Sequence, residues 1–402
     1  MAPPLKVLFI NHSVRDGGPG RSLFYLAKYL DRKKIRPLIL MPKEGVITEL
    51  LKKEGFGEDI IIDGRFTENI LTPRYNSNRG FYKIASFLWN ILDVTFFVLK
   101  TPFMAREKGV DIIYCNGTLA KITGAFIGTF SHKPVIWHVR NIQEKEPLRF
   151  TIKALSMLPA VKKIICVSYA AARQFQLARD KVGIVYNGVD MEEFSPENTK
   201  GVLRREYGIG EDTVIVGNVG RIVPRKNYGK LIWVARTVKE RLSEEEIKKI
   251  KFVVVGDTPH YFSNHLAKLK ELVKGLEVED LFVFTGFRFD VKPYLRDFDV
   301  FAIPSSYSDP FPRSVIEAMA FSLPVVGFRI GGIAEAVEDR VTGILSEPGN
   351  TNSMADAILK LIRDKSLRES FGQAARRRAE KLFDVKAKTK EVEEKILETA
   401  LT

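Results

Sequence analysis

The stretch DVFAIPSSYSDPFPRSVIEAMA, residues 299–320, joins an apolar run to an amphipathic helical pattern through a loop rich in serine and proline. The apolar run is typical of a buried strand, and the helix is predicted to begin near Pro312 or Arg313. Asp309 would then lie in the loop, and Glu317 about one turn inside the helix. Because a helix start carries unpaired N–H groups and a partial positive charge, the stretch suits an anion. The alternative is an ordinary capped helix start, with Asp309 accepting from backbone N–H groups.

Strand-like apolar runs alternate with helical patterns along the whole chain. The first half contains KVLFINHS, RPLILMP, DIIYCNG, KPVIWHV and KKIICVS, and the second contains VIVGNVGR, KFVVVGD, LFVFTGF, DVFAIPSS, LPVVGF and TGILSEPG. Continuous apolar strands separated by helices favour parallel sheets that are covered on both faces. The sequence therefore predicts an α/β protein of two doubly wound, Rossmann-like domains. Ligand is expected where the carboxyl ends of their strands face one another across a cleft.

The junction between the two domains is predicted in YNGVDMEEFSPENTKG, a run of turn formers and polar residues. The first domain would span residues 1–186 and the second residues 187–383. The charged amphipathic helix at 384–402 is predicted to pack back on the first domain.

Composition is typical of a soluble globular protein, with 45% hydrophobic and 28% charged residues. No apolar run approaches 18 residues and the opening MAPPLKVLFINHS lacks signal-peptide features, so no bilayer span is expected. Cys115 and Cys166 adjoin strand-like runs, which indicates buried free thiols and a cytoplasmic location. The histidines, including His260 and His265, lack metal-ligand spacing.

Positive charge is concentrated in the first half of the chain, within a total of +14. Residues 1–180 carry 28 Lys and Arg against 15 Asp and Glu, whereas residues 181–402 carry 35 against 34. A basic half can serve nucleic acid, an anionic membrane surface or a phosphorylated substrate. Charge alone does not choose among these partners.

Residues 79–104, RGFYKIASFLWNILDVTFFVLKTPFM, form an amphipathic helical pattern. Packing into the core is the favoured interpretation for the apolar residues at near-helical spacing, which are Ile84, Leu88, Ile91, Leu92 and Leu99. The alternative is contact with a membrane or a lipid-linked substrate. Nearby cations that would assist such contact are Arg65, Arg74, Arg79 and Lys83.

Polar candidates follow the predicted strands. Gly17 and Gly18 come after the first strand, where glycine lets backbone N–H groups approach a phosphate or sugar. His138 ends a strand and could donate to a substrate hydroxyl, although a lone histidine is usually structural. Arg221 and Lys226 lie in one loop after a strand and form a plausible clamp for a diphosphate.

Two further features compete with these candidates. Arg225 is a third cation in the same loop, and solvated surface charge is the ordinary role of any one of the three. The DFD sequence at 297–299 matches a DxD metal pattern. Because it precedes an apolar strand, Asp299 is expected to end a helix or start that strand.

Taken in order, the motifs resemble those of the retaining glycosyltransferases of family 4, the group 1 glycosyltransferases, which have the two-lobed GT-B fold. The resemblance covers nearly the whole chain. Its signature pairs two acids separated by seven residues, and Asp309, Phe311, Glu317 and Ala318 match it in order and spacing. The other matching motifs are the glycine turn at 17–18, NGVD, GRIVPRKN, FTGF, DVFAIPSS, GGIAEAV and VTGIL.

The resemblance implies a role for each matched residue. Arg221 and Lys226 would hold the nucleotide diphosphate, Glu317 the ribose hydroxyls, and Asp309 hydroxyls of the donor sugar. Further donor contacts would come from His138 beneath the transferred sugar, the N–H groups around Phe311 and Ser314, and Gly17, Gly18, Gly286 and Phe287. From the sequence, the side chain of Phe311 is predicted to be exposed in this loop.

The chain departs from the family pattern twice, because Asp309 replaces the usual glutamate and Pro312 replaces a glycine. Proline has no N–H to donate, which changes the contacts available to the donor sugar.

The activity that the resemblance implies is transfer of a sugar, with retention of configuration and without a metal or other cofactor. The donor is a nucleotide sugar, for which UDP is the commonest base. The acceptor is a glycan or lipid-linked glycan, with peripheral contact with an anionic membrane and no role for nucleic acid. A nucleotide-sugar epimerase of the same fold and a basic polyanion-binding protein are the alternatives.

Overall fold

The computed structural model describes residues 3–14, 17–68, 70, 80–259 and 262–401. It divides into two compact units. The first contains the chain up to Asn187 together with the segment that starts at Val385, and the second is Gly188–Asp384. Each division falls one residue after the corresponding junction predicted from the sequence.

Thirteen strands are present in the described residues. They are β1 Leu5–Asn11, β2 Ile35–Met41, β3 Ile60–Ile62, β4 Ile112–Asn116, β5 Val135–Val139, β6 Val161–Cys166, β7 Val182–Ile184, β8 Val214–Val219, β9 Ile250–Val255, β10 Phe282–Gly286, β11 Val300–Ile303, β12 Val325–Phe328 and β13 Gly343–Ser346.

The α-helices of the same residues are α1 Gly18–Tyr29, α2 Val46–Lys53, α3 Gly80–Glu107, α4 Thr118–Ser131, α5 Leu148–Ser156, α6 Tyr169–Ala172, α7 Leu203–Tyr207, α8 Tyr228–Glu240, α9 Glu244–Lys248, α10 Asn264–Gly275, α11 Lys292–Leu295, α12 Arg313–Ala320, α13 Ile333–Ala336, α14 Thr351–Arg363, α15 Lys365–Phe383 and α16 Val385–Ala400. Helix α16 belongs to the first unit, where Val392 and Ile396 join its core.

Each unit is built on one parallel sheet. The first has the strand order β3-β2-β1-β4-β5-β6-β7 and the second β10-β9-β8-β11-β12-β13, and every described ladder is parallel. The α/β prediction with two doubly wound sheets is confirmed. The sequence missed only β3 and β7, which have three residues each at the two edges of the first sheet.

The central strands are apolar on both faces because helices cover both sides of each sheet. In β1, Val7, Leu8, Phe9 and Ile10 are at most 2% exposed. Cys115 in β4 and Cys166 at the end of β6 are buried free thiols, as predicted. Such strands place their polar residues at the ends, which is where a ligand can reach them.

The strand order of each sheet reverses at one point, and this reversal positions the candidate site. In the second unit the chain runs outward from β8 to β9 and β10, then returns to the other side of β8 with β11. The loops after β8 and β11 therefore leave the sheet in opposite directions, and a crevice opens between them. The loops after β1 and β4 bear the same relation in the first unit.

Helix α3 differs from the favoured prediction. The five apolar residues assigned to the core, Ile84, Leu88, Ile91, Leu92 and Leu99, are between 38% and 65% exposed. The core-packing interpretation is wrong because helical spacing reveals an apolar stripe but not the side that is covered. By length and composition Tyr82–Glu107 could also cross a membrane, contrary to the sequence expectation, although core helices and signal sequences meet the same criterion.

Candidate functional site

An ion pair spans the crevice of the second unit. Lys226, in the loop after β8, places Nζ 2.9 Å from Oδ2 of Asp309, in the loop after β11. The Tyr307 hydroxyl donates to the same carboxylate oxygen at 2.6 Å, and Asp309 is only 6% exposed. Pro312 occupies the N-cap position of α12, which has no side-chain cap bond. Asp309 therefore does not cap the helix, and the ordinary capping interpretation is wrong.

Cations surround Tyr307 at this position. The guanidinium of Arg225 lies 5.0 Å from the ring centroid of Tyr307 and Nζ of Lys226 lies 5.8 Å from it. Burial and the Asp309 carboxylate raise the pKa of Tyr307 above its ordinary value, so its hydroxyl keeps the proton that it donates. Arg221 lies exposed at the start of the same loop. The predicted cations thus share one loop, with Lys226 held by Asp309.

Helix α12 begins at Arg313, as the sequence predicted. Arg313 pairs with Glu317 one turn later at 3.2 Å and donates to the Gly188 carbonyl oxygen at 3.0 Å. Ser314 lies in the first turn, half-buried. Phe311 is 3% exposed and packs edge-on against Phe383 with the ring centroids 5.3 Å apart. Its predicted exposure is therefore wrong, because the ring anchors the loop.

A glycine pair supports the loop that carries Asp309. Gly332 donates its N–H to the Asp309 carbonyl oxygen at 2.7 Å. A Cβ on Gly332 would lie 2.2 Å from the Pro310 carbonyl oxygen, and one on Gly331 would lie 2.5 Å from the Asp309 carbonyl oxygen. No side chain fits at either position without moving backbone, so these glycines fix the position of the acidic loop.

Gly286 and Phe287 lie at the end of β10. Gly286 has φ +74°, which favours glycine, and its carbonyl oxygen accepts from the Gly256 N–H at 3.0 Å. Backbone geometry therefore accounts for this glycine without a ligand. Phe287 follows with 65% of its surface exposed, so its ring is available for contact at the carboxyl end of β10.

Gly17 and Gly18 lie at the start of α1 in the first unit. A Cβ on either would meet no heavy atom of the described residues within 4 Å, and neither has a φ in the left-handed region. Neither packing nor backbone conformation within the described chain requires glycine here.

His138 lies in β5 inside a buried polar network. Its Nδ1 contacts the Tyr114 hydroxyl and accepts from Nη2 of Arg140 at 3.1 Å. Arg140 also donates to Oδ1 of Asn116 at 2.9 Å and to Asn187. Because arginine can only donate, Nδ1 of His138 is unprotonated and the proton lies on Nε2. Nε2 is buried and has no hydrogen-bond partner among the described residues.

Burial sets the protonation state of this region. Burial, and then the charges of Arg140 and Lys121, lower the pKa of His138 well below its ordinary value, so the ring is neutral at pH 7. Burial also lowers the pKa of Lys121 to about 8, and Nζ of that residue donates to Oδ1 of Asn141 at 3.0 Å. The site in the first unit is thus a neutral N–H donor held beside fixed cations.

The DFD pattern has a structural role. Asp297 accepts from the N–H groups of Leu203 and Arg204 at the start of α7, and Asp299 accepts from the Ile215 N–H at 2.8 Å. Both carboxylates thus bind backbone N–H groups near the amino-terminal ends of the strands, whereas the ion pair lies beyond the carboxyl ends. No group of three potential metal-ligating side chains occurs in the described ranges, which exclude His260.

Two family profiles match the chain. Glycosyl transferases group 1 matches residues 200–378, and Glycosyltransferase Family 4 matches residues 16–193. The chain belongs to this glycosyltransferase family. The predicted resemblance is confirmed, and each match lies mainly within one of the two units of the structure.

Related sequences agree with this assignment. The D-inositol 3-phosphate glycosyltransferase of Kribbella flavida is 34% identical over 197 residues, which cover 48% of this chain and 46% of that protein. The N-acetyl-alpha-D-glucosaminyl L-malate synthase of Bacillus anthracis is 31% identical over 193 residues, covering 48% and 47%. The chain thus spans about half the length of these curated relatives.

Solved structures share the fold. The Anabaena protein HepE in complex with UDP has a TM-score of 0.79 at 23% identity, covering 98% of this chain and all of that one. WaaG, a glycosyltransferase involved in lipopolysaccharide biosynthesis, has a TM-score of 0.68 at 15% identity, covering 96% of this chain and 98% of that one. At such identities the likeness establishes the GT-B fold alone.

The sequence analysis did not identify Tyr307, Tyr114, Arg140 or Asn116 as site residues. Arg140 and Asn116 follow or end predicted strands, so the strand-end argument that selected His138 could have found them. No comparable signal marked the two tyrosines. The partner of Tyr114 is distant in sequence, and the contact of Tyr307 with Asp309 depends on the directions of the two side chains.

We expect Arg140 to add to the effect of burial and lower the pKa of His138 further. Replacing Arg140 with Met removes the charge and should raise the pKa of His138, which stays below its ordinary value because the ring remains buried. Arg140→Lys keeps the charge and should leave the pKa close to that of the wild type. Side-chain nitrogen NMR of labelled histidine measures both the pKa and the tautomer. A wild-type His138 that carries its proton on Nδ1, or that is cationic at pH 7, would contradict the assignment.

The glycine pair gives a stability prediction. Gly332→Ala should lower the free energy of unfolding of the second unit by roughly 1–3 kcal/mol, because its Cβ would overlap backbone. Gly275→Ala in α10 is the matched control, since a Cβ there meets nothing within 4 Å and alanine favours a helix by up to about 1 kcal/mol. Urea unfolding measures both variants. Equal midpoints for the two would be inconsistent with the close approach described.

Proposed function

We propose that this chain transfers a sugar from a nucleotide diphosphate donor to a hydroxyl of a glycan or lipid-linked acceptor, with retention of anomeric configuration. Membership of the glycosyltransferase family supports the reaction class. The observation that carries the proposal is the Lys226–Asp309 ion pair, because it sets a cation suited to phosphate 2.9 Å from a carboxylate suited to sugar hydroxyls. A nucleotide sugar has the two matching groups side by side, since its diphosphate is bonded directly to its sugar.

The proposed donor contacts follow from this adjacency. Lys226 and Arg221 hold the diphosphate, and Asp309 accepts hydrogen bonds from hydroxyls of the sugar. Glu317, fixed by Arg313 on α12, accepts from the ribose hydroxyls. The first turn of α12 faces the same crevice, so its N–H groups, including that of Ser314, provide further donors to phosphate oxygens. Pro312 contributes none of these.

In the first unit, we propose that His138 donates Nε2–H to a hydroxyl of the transferred sugar. The neutral ring suits a neutral partner, because a buried imidazolium would repel the adjacent cations. Gly17 and Gly18 would allow close approach of ligand to backbone, since neither packing nor a left-handed φ requires glycine at these positions.

The reaction breaks the bond between the anomeric carbon and a diphosphate oxygen and forms one from that carbon to the acceptor oxygen. The acceptor proton passes to the departing phosphate. Negative charge builds on the diphosphate as it leaves, and Lys226, Arg221 and the helix start stabilise it. One preorganised donor of this kind contributes about 2.7–4 kcal/mol to lowering a barrier. Asp309 then binds sugar rather than acting as a nucleophile.

UDP is the nucleotide that we propose. The Anabaena protein HepE, which shares the fold, was solved with UDP and with UDP-glucose, and an Escherichia coli relative that is 24% identical over 289 residues is a UDP-Gal-dependent galactosyltransferase acting on a diphosphoundecaprenol-linked sugar. The second protein supports a lipid-linked acceptor. A thermal-shift series with UDP-, GDP- and ADP-sugars would identify the base, since bound ligand raises apparent stability.

Two other functions fit parts of the molecule. An epimerase acting on a nucleotide sugar would use the same donor contacts but needs no acceptor, so product analysis with donor alone separates it from a transferase. A polyanion-binding protein would use the basic first half of the chain. Its affinity for nucleic acid would fall steeply with salt concentration, and Glu317→Ala would not change that affinity.

Lys226→Met should weaken binding of UDP-glucose by about ten- to a hundredfold, because one hydrogen bond to a charged group contributes about 1.5–3 kcal/mol. Lys249→Met is the matched control, since that lysine directly precedes β9 and therefore lies at the amino-terminal ends of the strands, away from the crevice. Isothermal titration calorimetry measures both. If the two variants bind the donor as the wild type does, the proposed role of Lys226 is wrong.

Removal of divalent metal should leave donor binding unchanged, because the proposed site neutralises the diphosphate with side chains and a helix start. Titrations of UDP-glucose in EDTA and in magnesium should give the same dissociation constant within about twofold, a difference of only about 0.4 kcal/mol. Loss of binding in EDTA, restored by magnesium, would contradict a metal-independent site.

A further inference from the structure

Helix α3 has its apolar side turned outward. Ile84, Leu88, Leu92, Phe96 and Leu99 are each more than half exposed, and Phe103 continues the row at 70%. These positions recur every three or four residues, so they form one stripe along the helix. At 1.5 Å per residue the stripe is about 28 Å long. We call it the α3 stripe.

The opposite side of α3 is covered and partly polar. Ser86, Asn90, Phe97 and Thr101 are at most 3% exposed, and Val98 is 9% exposed. Asn90 donates to the Ile70 carbonyl oxygen at 2.8 Å, and Phe97 stacks on Phe66 at 4.9 Å between ring centroids. A surface helix of a soluble protein normally turns its apolar side to the core and its polar side to water. Because this side is tied into the first unit, α3 lies on the surface of that unit.

Neighbouring residues extend the apolar surface. Among the exposed residues from 84 to 99, Thr95 is the only one that is not apolar, and none is charged. Trp89 is 56% exposed, and α4 adds Phe126 and Phe130, at 39% and 49%. Contiguous apolar surface of this extent is rare on soluble monomers and marks an interaction site.

The charges around the α3 stripe identify its partner. Lys83 precedes it, Lys100 lies between its last two apolar residues and Arg106 follows it, all exposed, whereas Glu107 is the one exposed acid among residues 82–107. The Arg65 guanidinium lies 4.4 Å from the ring centroid of Phe96. A second copy of this chain would bring like charges together. An anionic surface complements them.

We propose that the α3 stripe docks on the interface of an anionic lipid bilayer. The helix lies in the plane of the membrane, with Leu88, Leu92 and Phe96 entering the boundary between headgroups and acyl chains. The flanking lysines and arginines contact lipid phosphates, and Trp89 lies at headgroup level. This surface would hold the enzyme where lipid-linked acceptors are present, but docking itself requires no sugar transfer.

Flotation with vesicles tests the proposal on the full chain. The wild type should bind vesicles of phosphatidylglycerol and phosphatidylcholine more tightly than vesicles of phosphatidylcholine alone. A variant with Leu88→Gln, Leu92→Gln and Phe96→Gln should bind the anionic vesicles about a hundredfold more weakly, because it loses most of the apolar area. These positions are exposed, so the melting temperature should stay that of the wild type.

The matched control carries Phe150→Gln, Met157→Gln and Leu177→Gln, three exposed apolar residues of the first unit outside α3 and α4. It should bind as the wild type does. Acyl-brominated vesicles should quench the fluorescence of the wild type, and Trp89→Phe should remove that quenching. The proposal is overturned if the wild type ignores anionic vesicles, if the α3 variant binds normally, or if both triple variants weaken equally. It is also overturned if the stripe instead mediates self-association that the α3 variant abolishes.

Discussion

The ion pair between Lys226 and Asp309 is the constraint on which the second unit's site depends. Both side chains are largely removed from water, with 20% and 9% of their surfaces exposed. A partly buried pair contributes little net stability, because desolvation offsets much of the attraction. We propose instead that the pair is a preformed binding arrangement. It also keeps each charge satisfied in the free protein, and the Tyr307 hydroxyl holds the carboxylate oxygen in place.

The two units place different chemistry at the carboxyl ends of their strands. At the strand ends of the second unit, ionised groups and a helix start favour a charged ligand. At those of the first unit, burial keeps His138 neutral, and Arg140 fixes which ring nitrogen carries the proton. A charged cleft recognises phosphate, whereas a neutral N–H donor recognises a hydroxyl without attracting a competing anion. A nucleotide sugar contains both groups, so the electrostatics of the units agree with the family to which the chain belongs.

Much of the fold was predictable because buried parallel strands are nearly continuous apolar runs. All eleven predicted strands exist, and the two missed strands are three-residue edges, too short to show a pattern. Residues at strand ends, such as His138 and Lys226, were identified for the same reason. The partner of Lys226 was not predictable, since Asp309 lies 83 positions away and the contact requires the reversal of strand order. The outward orientation of α3 was missed because periodicity does not indicate which face is covered.

A crystal structure of the chain with UDP-glucose tests the central claim most directly. The account predicts that the diphosphate lies within hydrogen-bonding distance of Lys226 Nζ and the first turn of α12, with a glucose hydroxyl on the Asp309 carboxylate. A diphosphate bound away from the loops that follow β8 and β11, with the Lys226–Asp309 pair undisturbed and touching no ligand atom, would contradict it.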